Sequence, residues 1–536
     1  MEKLRASQSL TLPLPEIGGP GRRRTVPLVL AGFCILIATL RLHTYDEPFE
    51  RDITSHAVIA SRMLSGHRLY SDLWDSKPPA IFVTYAAGEL AAGLGPAAVY
   101  LIGVTAAIVT LLGVYLAAAA RGGRTAGLWS AAFWAIICSD LWLWANQPNI
   151  EVGINACVIF AFLLILGTGT DRFDAPRWIA AGVLFALATL YKPVAFTFPV
   201  LLAAVYLVLE IRGRLKTALG QICLAAVAGA AVWGAVFAYF AVTDRFGIFY
   251  ETIFEYGRYY ARSRGGSLLA NIVEGFKPAR LFCLHMKSTL PLAAAAAAGA
   301  AAGIFSPHRR SWLLLLAFAA AAHLAVSLPG RFYGHYYQLW LGPLVVGAGW
   351  AVAALQGHQK PAWVALSRGA GLLVLASLLL LVMPQYRFSA DEWSAKKQGP
   401  QYIISKKLAV ELDRLLAPKE TLYVWGINPG LYFWSGRKSP TGLIWSTDLL
   451  LGPLAEKHTR RALQDLKKRP PEIVAVNLLH VERPQDHPVV RWITENYSPL
   501  STRPLRGTLY GRPFFLIMAR KGGRLAAAAP PRQAPP

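Results

Sequence analysis

Long apolar runs divided by short polar stretches fill the first 384 positions of this chain. An α-helix needs about 20 predominantly apolar residues to cross a bilayer. By that measure the pattern predicts about eleven spans, at 25–43, 97–120, 125–144, 149–168, 177–191, 193–211, 218–242, 288–305, 311–328, 336–355 and 366–384. A shorter run, Pro79 to Ala92, carries Glu89. Counted as a span, it would turn Arg121 and Arg124 outward. Read as an interfacial helix, it leaves them inside with Arg172, Arg212 to Lys216, Arg309 and Arg310, so the positive-inside bias decides for the interface. This orientation puts 44–96, 145–148, 243–287 and 329–335 outside. Within the first of these, Ile53, Ala57, Ala60 and Leu64 recur at helical spacing and predict a helix along the membrane surface, ending before Gly66.

The pattern changes after Pro384. Helix-like stretches (Ile403 to Leu416, Ala455 to Lys468) alternate with strand-like ones (Thr421 to Trp425, Ile473 to Leu479, Phe514 to Ala519). The expected fold is an all-α polytopic membrane protein with a small C-terminal α/β extramembrane domain. Residues 1–24 form a cytoplasmic segment, 25–384 the membrane domain, 385–521 the outer domain, and 522–536 an Ala- and Pro-rich tail expected to be disordered. The first run, Thr25 to Leu42, is long for a signal peptide and lacks a small-x-small cleavage site, so it reads as a retained helix.

Composition closes off other classes. A chain of 536 residues has room for several soluble domains, but hydrophobic residues make up 54% and charged ones 16%, and the mean hydropathy is +0.39. The formal net charge of +24 would suggest nucleic acid in a soluble protein. Here the basic residues sit in short loops between apolar runs, which points to anionic lipid head groups and excludes nucleic acid as the partner. The five cysteines (Cys34, Cys138, Cys157, Cys223, Cys283) show no C-x-x-C spacing and read as buried hydrophobes.

Chemistry-bearing residues gather on the outer side. Asp52 alone would be a solvated loop aspartate. Its company is His56 one helical turn on, Lys77 before Pro78-Pro79, and Glu151 after Asn146-Gln147-Pro148-Asn149. Lys192 stands before Pro193, Arg331 and His335 lie in the segment ending at Tyr336-Tyr337, and Arg258 is set among Tyr250, Tyr256, Tyr259 and Tyr260. Each cation has a plain reading as a snorkelling residue, and Glu151 one as an interfacial acid. The positive-inside rule, however, leaves few cations on this face, and an anionic lipid phosphate accounts for several at once. His56, His67 and His335 have no metal-ligand spacing, so neither a metal nor another cofactor is expected. A transporter of lipid-linked sugars would place ionisable residues mid-membrane, often with repeat symmetry. The helix interiors here are nearly free of charge, which favours an enzyme over a transporter or a non-catalytic scaffold.

The run Arg51-Asp52-Ile53-Thr54-Ser55-His56 through Met63-Leu64-Ser65-Gly66, followed by Leu69-Tyr70-Ser71-Asp72-Leu73-Trp74-Asp75-Ser76-Lys77-Pro78-Pro79, resembles the first outer loop of bacterial GT-C glycosyltransferases. These polyprenyl-phosphate-sugar-dependent enzymes include relatives of protein O-mannosyltransferases and the lipid A aminoarabinose transferase. Pro148-Asn149-Ile150-Glu151, Leu190-Tyr191-Lys192-Pro193 and the Arg331 to Tyr337 segment are similar to the family too. The resemblance implies transfer of a sugar from a polyprenyl-phosphate donor to a lipid, glycan or protein acceptor at the periplasmic face of the inner membrane. It makes Asp52 the catalytic carboxylate, since Asp46-Glu47 lies at the wrong distance from Met63-Leu64. Glu151 supports it. Lys77, Lys192, Arg258 and Arg331 receive the donor phosphate, and His56, His335 and Tyr336 contact substrate. The family's acidic or glutamine neighbour of the aspartate is Ile53 here.

Overall fold

The computed structural model describes residues 25–168, 173–262, 266–277, 286–358, 360–478, 486–500, 508–509 and 512–527. The expectations for 1–24, Arg172, Cys283 and the tail beyond 527 fall outside the described residues. Seven described helices are long and apolar enough to cross a bilayer: Thr25–Leu42, Pro96–Ile137, Pro193–Glu210, Leu215–Val242, Arg309–Ser327, Gly334–Ala354 and Pro361–Arg387. Shorter apolar helices are Ala80–Ala92, Ile150–Leu166, Ala175–Tyr191 and Leu290–Gly303. Every expected run is therefore helical, and the chain is a polytopic helical membrane protein with a small mixed α/β part.

Two boundaries differ from expectation. Pro96–Ile137 joins two expected spans across Gly123, which breaks the helix with φ 67°. It then stops seven residues short of the expected end at 144. The Asp140 carboxylate accepts the Leu143 N–H at 2.9 Å and the Gln385 amide at 2.9 Å, which turns the backbone out of the helix.

Contacts divide the chain into two compact units that cut across the linear division at 384. The first holds residues up to Leu42, Gly103–Tyr239 and Gly265–Arg387. Its helices pack on small residues, as membrane helices do. A Cβ at Gly182 would overlap the Ala225 carbonyl, and Gly299 and Gly303 make room for Trp312. Phe162 stacks on Phe318 at 4.8 Å.

The second unit holds His43–Ile102, Phe240–Arg264 and Phe388 onward. Its sheet has the order β1-β2-β6-β3, with β1 Leu422–Trp425, β2 Ile473–Asn477, β3 Tyr497–Pro499 and β6 Phe515–Arg520. β1 and β2 run parallel (Leu422 opposite Ile473), and β6 lies antiparallel to both β2 and β3. Two-residue strands β4 Thr508–Leu509 and β5 Arg512–Pro513 pair separately. The first loop joins this core through Trp74, which packs with Tyr256, Tyr423, Trp425 and Leu443. Arg62 donates to the Ser439 carbonyl at 2.8 Å, and the Trp74 N–H to the Gly442 carbonyl at 3.2 Å.

Helix Arg51–Leu64 corrects one expectation. It does not offer a single apolar face to a membrane surface: Ile53 to Ala60 are all buried, and it packs against Ala80–Ala92 and Gly430–Ser435. Leu64, expected on the apolar face, is exposed.

Candidate functional site

Within the second unit, Asp52 occupies the first turn of helix Arg51–Leu64, where the partial positive charge of the helix end favours a carboxylate. The loop that follows is held tightly. Tyr70 adopts φ 70°, a left-handed conformation costly for a bulky residue. Its hydroxyl donates to the Lys77 carbonyl at 2.8 Å. Asp75 accepts the Lys77 N–H at 3.1 Å and pairs with the Lys77 ammonium at 3.7 Å. Its other oxygen accepts the Ser55 hydroxyl at 3.3 Å, and Ser55 in turn accepts the Trp445 indole N–H at 3.1 Å. Burial works against the Lys77 charge, but Asp75, Asp52, Tyr260 and Asp448 outweigh it and hold the ammonium above the usual lysine range.

Asp448, on helix Thr447–Leu450, is buried, and burial with the negative charge of Asp75 pushes its carboxyl well up against the pull of Lys77. The Trp74 ring packs edge-on to Tyr256 at 5.1 Å and to His458 at 4.5 Å, and its N–H donates to Thr252 at 3.2 Å. Arg258 lines a cavity of about 480 Å³ with Glu255, Tyr256, Tyr259, Pro453 and Leu454. His56 is buried with its ring against Phe82 (5.7 Å) and Tyr85 (5.6 Å), between two helices. Of the rival acidic pair, Glu47 forms a buried ion pair with Lys397, and Asp46 pairs with Lys406 at 2.7 Å.

A second cluster lies within the first unit. Glu151 sits in the first turn of Ile150–Leu166. Lys192 ends Ala175–Tyr191 in extended backbone, as the following Pro193 requires. Its ammonium donates to Glu151 at 2.9 Å and stands 3.4 Å above the Tyr336 ring. Gly153 lets the two helices close: a Cβ there would meet the Tyr191 ring at 2.5 Å. His335 acts on Glu151 electrostatically and packs against Trp144 (4.9 Å) and Tyr336 (4.7 Å). Arg331 is half-buried in a turn where Gly330 and Phe332 have φ 60° and 50°. Trp144 facing it across the ring contacts is left-handed too, at φ 52°. Backbone strain of this kind persists where surrounding contacts fix it. Arg41 supplies some of them, donating to the Cys138, Ala145 and Asn146 carbonyls at 2.7, 2.7 and 2.8 Å.

The structure thus brings Asp52 and Lys77 into one electrostatic group, and Glu151, Lys192, His335 and Tyr336 into another. Sequence reasoning missed Asp448 and Arg41. Asp448 is hundreds of positions from Asp75 and has no local signal. Arg41, at the end of an apolar run, differs in sequence from no other snorkelling arginine. Among the described residues no group of three or more His, Cys, Asp or Glu could hold a metal ion.

Neither a protein-family model nor a curated protein matches this sequence. Solved structures do. ArnT from Cupriavidus metallidurans bound to undecaprenyl phosphate superposes with a TM-score of 0.61 at 17% identity, over 95% of this chain and 99% of that one. Its apo state gives 0.59 at 17% identity, over 96% and 100%. The archaeal oligosaccharyltransferase AglB from Archaeoglobus fulgidus, in complex with an inhibitory peptide and a dolichol-phosphate, gives 0.50 at 14%, over 86% and 70%. At such identities the likeness is one of fold, and the fold of this chain is the GT-C fold of the glycosyltransferases that its first outer loop resembles.

Proposed function

We propose that the protein is an integral membrane glycosyltransferase that moves a sugar from a polyprenyl-phosphate carrier to a hydroxyl of a lipid, glycan or protein acceptor. The observation that carries this reading is the Asp52–Lys77 group: a carboxylate at a helix start beside an ammonium that its acidic neighbours keep charged. Two structures sharing the fold hold undecaprenyl phosphate and dolichol-phosphate, respectively.

In the proposed reaction the acceptor oxygen attacks the anomeric carbon while Asp52 takes its proton. The bond from that carbon to the phosphate oxygen breaks, and the phosphate leaves on its lipid with one more negative charge. Lys77 stabilises that growing charge, and Lys192, Arg258 and Arg331 are assigned the same role. Attack opposite the leaving group inverts the anomeric centre. Glu151 holds Lys192; His335 and Tyr336 are assigned to substrate. His56, enclosed by Phe82 and Tyr85, positions the Asp52 helix. Residues 25–384 are the membrane catalytic domain and 385–521 an extramembrane one, with the site facing the periplasm.

The test is sugar transfer in membranes from a defined panel of polyprenyl-monophosphate sugars. Asp52→Asn is expected to lower turnover at least about 100-fold, the usual weight of a positioned base. A carrier of lipid-linked sugars would tolerate that change, so full activity in the variant sinks the enzyme reading.

A further inference from the structure

Glu50 precedes helix Arg51–Leu64 at the N-cap position, yet its side chain does not cap the helix. The residue is 4% exposed. One carboxyl oxygen accepts the Gln398 amide N–H at 2.6 Å, and the other is buried with no hydrogen-bond partner among the described residues. An ionised carboxylate presents about four acceptor positions. Burying it with a single donor is costly, whereas the neutral acid needs far less. Lys397, which acts on Glu50 electrostatically, is engaged by Glu47 in a buried ion pair.

The charged and titratable groups around Glu50 come from several elements. Arg51 and Asp52 lie on its own helix, Lys397 on Ala390–Gln398, Tyr85 on Ala80–Ala92, and Tyr402 on Gln401–Leu415. Burial pushes the Glu50 carboxyl up and Asp52 adds to it, while Gln398, Lys397 and Arg51 pull down; the balance stands at about 8.

We propose that Glu50 is a positioning residue that keeps its proton beside Asp52, so that the two carboxyls together carry one negative charge, placed on Asp52. This rests on the reading of Asp52 as the base. A neutral Glu50 leaves Asp52 as the anion that receives the acceptor's proton, and spares an incoming phosphate a second negative neighbour. When Glu50 ionises, both advantages go.

Infrared difference spectra of the full-length protein in detergent micelles, titrated from pH 6 to 10 in H2O and D2O, test the protonation directly. A deuterium-sensitive carbonyl band of a protonated carboxyl is expected to vanish with a midpoint near pH 8. Glu89 and Asp448 are pushed up as well, so the Glu50 component is read in the difference between the parent and Glu50→Gln, which keeps an oxygen for Gln398. That component is expected to titrate at lower pH in Asp52→Asn, where the neighbouring charge is gone. A parent-minus-Glu50→Gln difference that lacks this band, or a midpoint indifferent to Asp52→Asn, overturns the proposal. With a midpoint of 8, the protonated fraction falls from about 0.9 at pH 7 to about 0.1 at pH 9. Transfer is therefore expected to drop about tenfold over that interval, and the drop to disappear in Glu50→Gln. An unchanged drop in that variant refutes the link to Asp52. If no donor supports transfer at all, the enzyme reading fails, and the infrared arm still decides the proton's place.

Discussion

Replacing Lys192 by Met tests whether the Glu151–Lys192 contact organises its part of the membrane domain. The Glu151 side chain is 2% exposed and the Lys192 side chain 15%. At 2.9 Å and an effective dielectric near 20, two unit charges attract by about 6 kcal/mol. Desolvation offsets much of this, but removing one partner leaves the other charge buried, and such changes cost about 3–5 kcal/mol. The ammonium also stands on the Tyr336 ring, a contact of about 1 kcal/mol. Lys192→Met is therefore expected to destabilise the protein by about 4 kcal/mol. Glu151→Gln, which leaves the lysine its ring, is expected to cost less. With both changes made no charge remains stranded, and the loss is expected to fall to about 1 kcal/mol. Titrating purified protein in mixed micelles with SDS and following tryptophan fluorescence gives the four free energies of the cycle. A Lys192→Met protein within about 1 kcal/mol of the parent, or a double variant whose loss equals the sum of the single ones, refutes the reasoning.

Trp74→Ala empties a fully buried site and removes the bond to Thr252 and the ring contacts to Tyr256 and His458; a loss of about 3–5 kcal/mol is expected, read as faster amide exchange in β1 and β2. Gly182→Val puts side-chain atoms onto the Ala225 backbone; about 1–3 kcal/mol or more is expected, and Gly182→Ala is expected to cost less in the same SDS titration. Burial depresses the His458 imidazole to about 4. Its stabilising contribution is then fully present above the unfolded value near 6.5 and is lost as pH falls from there toward 4, about 3 kcal/mol in all. His458→Gln is expected to flatten stability between pH 7 and 4 in unfolding curves taken at each pH.

Periodicity made the membrane helices legible because the bilayer imposes length and polarity on each run separately, so no partner has to be known. Ala455–Lys468 was readable to the residue for a related reason: its buried His458, Thr459, Ala462 and Leu466 alternate with charges along one amphipathic face. Boundaries set by a distant side chain were not. The early stop at Ile137 depends on Asp140, which Gln385 holds from 245 residues away. The burial of helix Arg51–Leu64 depends on Gly430–Ser435, so its local pattern of Ile53, Ala57, Ala60 and Leu64 pointed to a surface helix.

The choice among the acids of the first loop shows where spacing reaches and where it stops. Spacing to Met63-Leu64 favours Asp52 over Asp46-Glu47, and the fold adds the ion pairs in which these acids stand. Asp46 and Glu47 each have a lysine of their own, Lys406 and Lys397. Asp52 acts on Lys77 together with Asp75 and Asp448. Burial and the negative charge of Asp75 push the Asp448 carboxyl up against the pull of Lys77. Asp52 and Asp448 stand about 400 positions apart in the chain, so the field they share at Lys77 has no signature in the spacing of the first loop and arises only with the fold.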